Sequence, residues 1–172
     1  TTLKKEEAQF IKNFSLGGVI LFSKNYENRS QLQNLCNEIK KNSPSILIAT
    51  DHEGGRVQRF RKGFTEFPPM MDVAKIGSPK LCFEVHEQMA KELPYCGVNV
   101  NLSPCADILV DQNCDVIGDR SFGLTKEVVS EFASSAVRGL QTNNVISCLK
   151  HFPGHGNTSV DSHEDLPVIN DS

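Results

Sequence analysis

Three of the five histidines in this 172-residue chain fall within eighteen positions, "KHFPGHGNTSVDSHEDLP" (150–167), together with Asp161 and two prolines. Pro153, Gly154 and Gly156 stand too close together for a buried helix, so the stretch is predicted to be a loop. A loop dense in titratable groups points to function more than a loop of glycine and serine does. Three readings fit it. His151, His155 and His163 have the ligand number of a zinc site, although their irregular spacing matches no compact metal motif. A purely structural loop is the second reading. In the third, Asp161 bonds one ring nitrogen of His163, sets its tautomer and raises its pKa, leaving the other nitrogen to exchange a proton with a reacting oxygen.

Two further stretches carry candidate chemistry. In "TDHEGG" (50–55), Asp51 at a strand end can accept hydrogen bonds from a polyol, while Gly54 and Gly55 permit close backbone approach. The bland alternative makes Asp51 a cap on the following turn. "HEGGR" lacks the second histidine of a zincin helix, and neither G-x-G-x-x-G nor a P-loop sequence occurs, so no nucleotide cofactor is expected. In "DVIGDRSFG" (115–123), Arg120 either forms a surface ion pair with Asp119 or aims a fork of donors at substrate oxygens.

These residues need elements to position them. Apolar runs predict buried parallel strands over 17–22, 45–50, 97–103 and 145–152. Helical patterns lie at 3–14, 29–42, 78–97 and 125–144. Leu32, Leu35, Cys36 and Ile39 share one face of the second, and Ser78 with Pro79 opens the third. Thr125 caps the fourth, whose apolar stripe is predicted from Val128, Val129, Phe132, Ala136, Val137 and Leu140. The order αβαβαβαβ implies a parallel sheet with right-handed crossovers. Every strand exits into polar residues ("LFSKN", "IATDHEGG", "NLSPCAD", "LKHFPGHG"), which favours a (β/α)8 TIM barrel over an open doubly wound sheet with one switch point. Four strands supply only the N-terminal half to two-thirds of such a barrel. Residues 1–172 therefore read as one partial catalytic domain, truncated at both ends.

Composition narrows the function classes. A net charge of −3 and a pI near 5.9 offer no basic stripe for nucleic acid, and "RVQRFRK" (56–62) is the single short basic cluster. The sequence has no signal-like apolar region and no apolar run long enough for a membrane. Cys36, Cys82, Cys96, Cys105, Cys114 and Cys148 form no C-x-x-C pair. Cys36, Cys82 and Cys148 fall inside apolar-periodic segments, so buried reduced thiols and a reducing, cytoplasmic compartment are expected. Sequons at Asn13, Asn28, Asn101, Asn157 and Asn170 are read as unglycosylated, two of them lying where the pocket is expected.

The motifs "GGVILFSKN", "ATDHEGGRVQR", "NLSPCADI", "GDRSFG" and "KHFPGHGNTSVDSH.DLPVI" together resemble the glycoside hydrolase family 3 β-N-acetylhexosaminidases of bacterial peptidoglycan recycling. The resemblance runs nearly the whole chain in the right order. It implies that Asp51, Arg59, Arg120, Lys150 and His151 grip the hydroxyls of a terminal N-acetylglucosamine. His163 would be the general acid/base and Asp161 its partner, on a loop that closes over substrate. The nucleophile, an aspartate on a later strand, would lie beyond Ser172, so the chain by itself is not expected to turn over substrate. Asn157 stands where aspartate is more usual, at a position to which the resemblance gives no acid role. A small carbohydrate substrate is implied, with no cofactor and no metal. The competing readings are a β-glucosidase-like member of the same family, an inactive sugar-binding barrel, and a metal-dependent barrel hydrolase.

Overall fold

A computed structural model describes residues 1–158, Leu166 and Val168. Helix α1 (Lys5–Asn13) leads into strand β1 (Gly18–Leu21), and α2 (Arg29–Asn42) into β2 (Leu47–Thr50). A short antiparallel hairpin follows, β3 (His52–Gly54) with β4 (Val57–Gln58), then α3 (Met70–Lys75) and α4 (Pro79–Tyr95). Strand β5 (Val100–Asn101), helix α5 (Lys126–Gln141) and strand β6 (Ile146–Ser147) complete the described elements.

The main sheet runs β1-β2-β5-β6, with every pairing parallel. Gly18 pairs with Leu47, Thr50 with Asn101, and Asn101 with Ser147. Parallel strands laid down in chain order, with helices between them, are the arrangement of a partial (β/α)8 barrel. The fold class expected from the sequence is the one found.

Local sequence explains the helices. Asn28 caps α2 by accepting the N–H of Gln31, Ser78 caps α4 through Leu81, and Thr125 caps α5 through Val128. Leu32, Leu35, Cys36 and Ile39 form the buried face of α2. Helix α5 turns Val129, Phe132, Ala133, Ala136 and Leu140 inward, whereas Val128 is exposed. Its stripe is therefore rotated slightly from the one expected.

Two expected strands are much shorter than their apolar runs. Scattered backbone bonds such as Leu102 N–H to the Thr50 carbonyl continue past the strand ends, while Ile48 and His52 are bonded by side chains. Asn99 Oδ1 accepts from the N–H of Ile48, and Asn101 bonds both the N–H and the carbonyl of His52. Past Pro104, a single bridge between Cys105 and Lys150 continues the pairing of β5 and β6. Cys148 follows β6, the end strand of the described sheet, and lies exposed, contrary to the sequence expectation, while the other five thiols are buried and all six are free. Cys36 and Cys96 sit in the core beneath α2, Cys82 in the α4–α5 core, and Cys105 with Cys114 in a third cluster under the site.

Two buried histidines make the fold sensitive to acid. His52 lies among the rings of Phe60, Phe64 and Phe67, and neither ring nitrogen has a partner among the described residues. Burial pushes His52 down to about 4; Glu92 opposes and Arg61 reinforces the shift. Burial does the same to His86, also to about 4, against the hydrogen bond that its Nδ1–H donates to the Cys82 carbonyl. Both rings therefore bind protons more weakly folded than unfolded, where the usual value is 6.5. Stability is full above that value and falls as pH drops toward 4, by about 3 kcal/mol per ring. Urea midpoints at pH 7 and pH 4.5 should show the loss, and His52→Leu should remove roughly half of it. A slope unchanged by that substitution would contradict the assignment.

Candidate active site

Strand β2 ends at Thr50, which puts Asp51 at its C-terminal edge, and the adjoining hairpin supplies Glu53 and Arg59. Gly54 and Gly55 take positive φ of 102° and 55° to make the turn. A Cβ on Gly54 would stand 2.7 Å from the Pro68 carbonyl oxygen, and one on Gly55 would stand 2.9 Å from Pro69 Cα. The close approach expected of these glycines is thus to the chain's own backbone.

Lys150, at the exit of β6, joins the carboxylates of this hairpin. Its Nζ lies 2.6 Å from Asp51 Oδ1 and 2.6 Å from Glu53 Oε1. Arg120, at the end of a 3-10 turn (Gly118–Arg120), grips Glu53 with two prongs: Nε to Oε2 at 2.9 Å and Nη2 to Oε1 at 2.8 Å. Neither reading of Arg120 from sequence foresaw this partner. Asp119 is bound instead by Arg56, whose guanidinium also donates to the carbonyls of Val116 and Ile117. Arg59 Nη2 reaches Asp51 Oδ2 at 3.4 Å, and its guanidinium lies over the Phe22 ring. Asp51 is therefore an ion-pair acceptor, not a turn cap. Burial opposes its charge, but Lys150 and then Arg59 outweigh burial and hold the carboxyl below the usual carboxylate range.

His151 completes the group. Its ring is partly exposed (36%); Nδ1 lies 2.6 Å from Asp107 Oδ2, and Nε2 lies 3.5 Å from Arg120 Nη2. Asp51, Arg59, Arg120, Lys150 and His151 are thus brought together at one end of the sheet. Asp161 and His163 lie outside the described residues.

Sequence reasoning missed Glu53 and Asp107, both buried carboxylates. Glu53 stands in the same short motif as Asp51 and Asp107 in "NLSPCADI", but their partners are distant in sequence. Nothing in the local sequence sets either carboxylate apart from its polar neighbours; what marks them is their burial in the folded chain. Cys105, Asp107 and His151 also bring three ligand atoms within 4.8 Å of one another. They are bonded mutually: the Cys105 thiol donates to Asp107 at 3.3 Å, and burial followed by the Asp107 charge pushes that thiol up to about 12. The rings of His151 and His155 are 6.0 Å apart and steeply inclined, and their Nδ1 atoms face Asp107 and Thr158 respectively.

A carboxylate and an ammonium side by side suit a hydroxyl group, which donates to one and accepts from the other. Such groups are gathered here at the C-terminal ends of parallel strands of a partial (β/α)-barrel. Residues 1–172 match the family described as "Glycosyl hydrolase family 3 N terminal domain", and the chain belongs to that family. It is similar to a beta-hexosaminidase of Nitrosomonas eutropha, with 42% identity over 98% of this chain and 50% of that protein. It also resembles the structure of NagZ from Neisseria gonorrhoeae in complex with N-trifluoroacetyl-D-glucosamine. There the TM-score is 0.91 at 41% identity, over 96% of this chain and 51% of that one. A family 3 beta-N-acetylglucosaminidase from Paenibacillus gives a TM-score of 0.94 at 35% identity, over 98% of this chain and 33% of that one. The chain spans about half the length of the beta-hexosaminidases it matches. Among the described residues no helix is long and apolar enough to cross a membrane.

Proposed function

We propose that residues 1–172 are the N-terminal part of the catalytic barrel of a retaining β-N-acetylhexosaminidase. Its substrate would be a muropeptide derived from peptidoglycan, cleaved at a terminal non-reducing N-acetylglucosamine. The observation that carries this reading is the Lys150–Asp51–Glu53–Arg120 cluster at the strand exits of a family 3 chain. The relatives named beta-hexosaminidase, and a neighbour solved with an N-acyl glucosamine, support the choice of sugar. Six free cysteines suit a cytoplasmic location.

In this reading Lys150 and Arg120 donate to sugar hydroxyls and Asp51 accepts from them. Arg59 supports Asp51, and Nε2 of His151 meets another hydroxyl. With the sugar fixed, an aspartate from a later strand attacks the anomeric carbon while His163, paired with Asp161, protonates the departing oxygen. The same histidine then takes a proton from the water that releases the sugar.

The test is hydrolysis of a chromogenic N-acetylglucosaminide by the full-length polypeptide, with and without EDTA. Release of chromophore unaffected by EDTA is the expected result. Preference for the glucoside over the N-acetylglucosaminide would favour the β-glucosidase-like reading. Loss in EDTA would favour a metal-dependent hydrolase, and sugar binding without release an inactive barrel.

A further inference from the structure

We infer that Asp107 is a positioning residue that holds the His151 ring and the stem of the following loop in one fixed relation. The inference rests on the function proposed above, because it concerns how that site is assembled. Asp107 is fully buried at its side chain, and its oxygens are filled from two directions. Oδ2 accepts the Nδ1–H of His151 at 2.6 Å, the backbone N–H of His151 at 3.1 Å and the Cys105 thiol at 3.3 Å. Oδ1 accepts the backbone N–H of His155 at 2.7 Å. Burial opposes the charge, but these donors outweigh it, so the carboxyl sits below its usual range and is ionised at neutral pH. Its own carbonyl accepts from Ser121, the neighbour of Arg120, at 2.7 Å. The two strand-exit loops that follow β5 and β6 therefore meet at one residue.

Two consequences follow for the site. With Nδ1 held by Asp107, Nε2 is the ring nitrogen that His151 turns toward Arg120 and the open side. The second concerns the stem of the loop. Beyond His155, the Gly156 carbonyl accepts the N–H groups of Val110 and Asp111, both at 2.9 Å. A Cβ on Gly156 would fall 1.8 Å from the Ile108 carbonyl oxygen, so only glycine fits there. Residues 155 and 156 are thus pinned to 107–111, and Asp161 and His163 follow within the next seven positions. A carboxylate that never touches substrate would set both the sugar-facing histidine and the starting point of the loop that bears the acid/base.

The full-length polypeptide tests this with two variants. Asp107→Asn keeps the shape but turns an NH2 group toward donors. Gly156→Ala displaces the stem and touches no charge. With a natural disaccharide, each should lower kcat by about 10–10²-fold, the cost of roughly an ångström of misplacement. With a nitrophenyl leaving group the loss in the first step should be much smaller. Asp107→Asn alone should also raise KM. That rise should vanish in a His151→Ala background, where the kcat loss persists. Amide exchange at Val110, Asp111 and His155 reads the stem without turnover and should quicken in Asp107→Asn, while amides of α4 and α5 stay protected. Unchanged exchange at the stem, or kcat losses equal for both leaving groups, would overturn the inference. If the unaltered protein hydrolyses neither substrate, the proposed function fails, and the exchange measurement alone decides whether Asp107 holds ring and stem together.

Discussion

Replacing His163 with alanine in the full-length polypeptide is expected to slow cleavage of a natural disaccharide by about 10²–10⁴-fold, the range that loss of a general acid costs. The penalty should track the leaving group. A sugar alkoxide departs poorly without a proton, whereas a nitrophenolate needs little help, so the first step with a nitrophenyl glycoside should be nearly spared. Water attack in the second step would still lack its base. The glycosyl-enzyme should then accumulate, and a burst of nitrophenol stoichiometric with enzyme should precede slow turnover. Asp161→Asn should show the same pattern more weakly, by withdrawing the charge that supports protonated His163. Rapid-quench measurement on both substrates checks the prediction. Equal losses on both would make His163 a binding or structural residue.

The second large effect is expected at Glu53. This carboxylate is 2% exposed and receives Arg120 through two hydrogen bonds and Lys150 through a third contact. Lys150 keeps Asp51 if Glu53 is neutralised, but among the described residues the guanidinium of Arg120 keeps only the Val116 carbonyl and the weak contact to His151. Removing one partner of a buried pair typically costs about 3–5 kcal/mol, because the other is left uncompensated. Glu53→Gln, with an amide NH2 facing these donors, should approach that figure in urea unfolding at pH 7 and should raise KM for the glycoside. Removing Arg120 as well, in Glu53→Leu/Arg120→Met, should recover much of the stability but none of the binding. A Glu53→Gln protein within about 0.5 kcal/mol of the original, the range of an ordinary surface substitution, would falsify the view that this carboxylate organises the site.

Apolar runs made the four parallel strands legible, and periodicity four of the five helices, because each of those helices buries one face whose spacing is written in the chain. Leu32, Leu35, Cys36 and Ile39 are the plain example. Helix α3 and the β3–β4 hairpin escaped notice because six, three and two residues hold too few repeats of any period. Asp51, Lys150 and His151 were singled out from their position at strand exits and from the resemblance. Glu53 and Asp107 were not: their partners, 67 and 44 residues away, are no more distant than Lys150 is from Asp51, but what marks them is that their carboxylates are buried. Burial of a carboxylate is a property of the folded chain, and the local sequence around Asp107 resembles any polar loop. The exposure of Cys148 was missed for a related reason: an apolar run reads as a buried strand, whereas β6 stands at the end of the described sheet.

The cysteines give the fold a set of internal clocks. Burial drives the Cys36, Cys82 and Cys105 thiols up to about 12, which starves them of the thiolate that an alkylating reagent needs. Cys148 alone stands exposed, so a brief pulse of reagent on the native chain should mark it first. Every later label then times an opening event, and its position says where the opening occurred. Cys36 and Cys96 report on the packing beneath α2, Cys82 on the α4–α5 interface, and Cys105 with Cys114 on the floor below the Lys150–Asp51–Glu53–Arg120 cluster. Because opening free energies differ from region to region, mass spectrometry of pulse-labelled peptides would rank these three parts by how often each breathes. No substitution would be needed. If the floor opens more often than the helical layers, the scaffold is loosest beneath the residues proposed to hold the sugar.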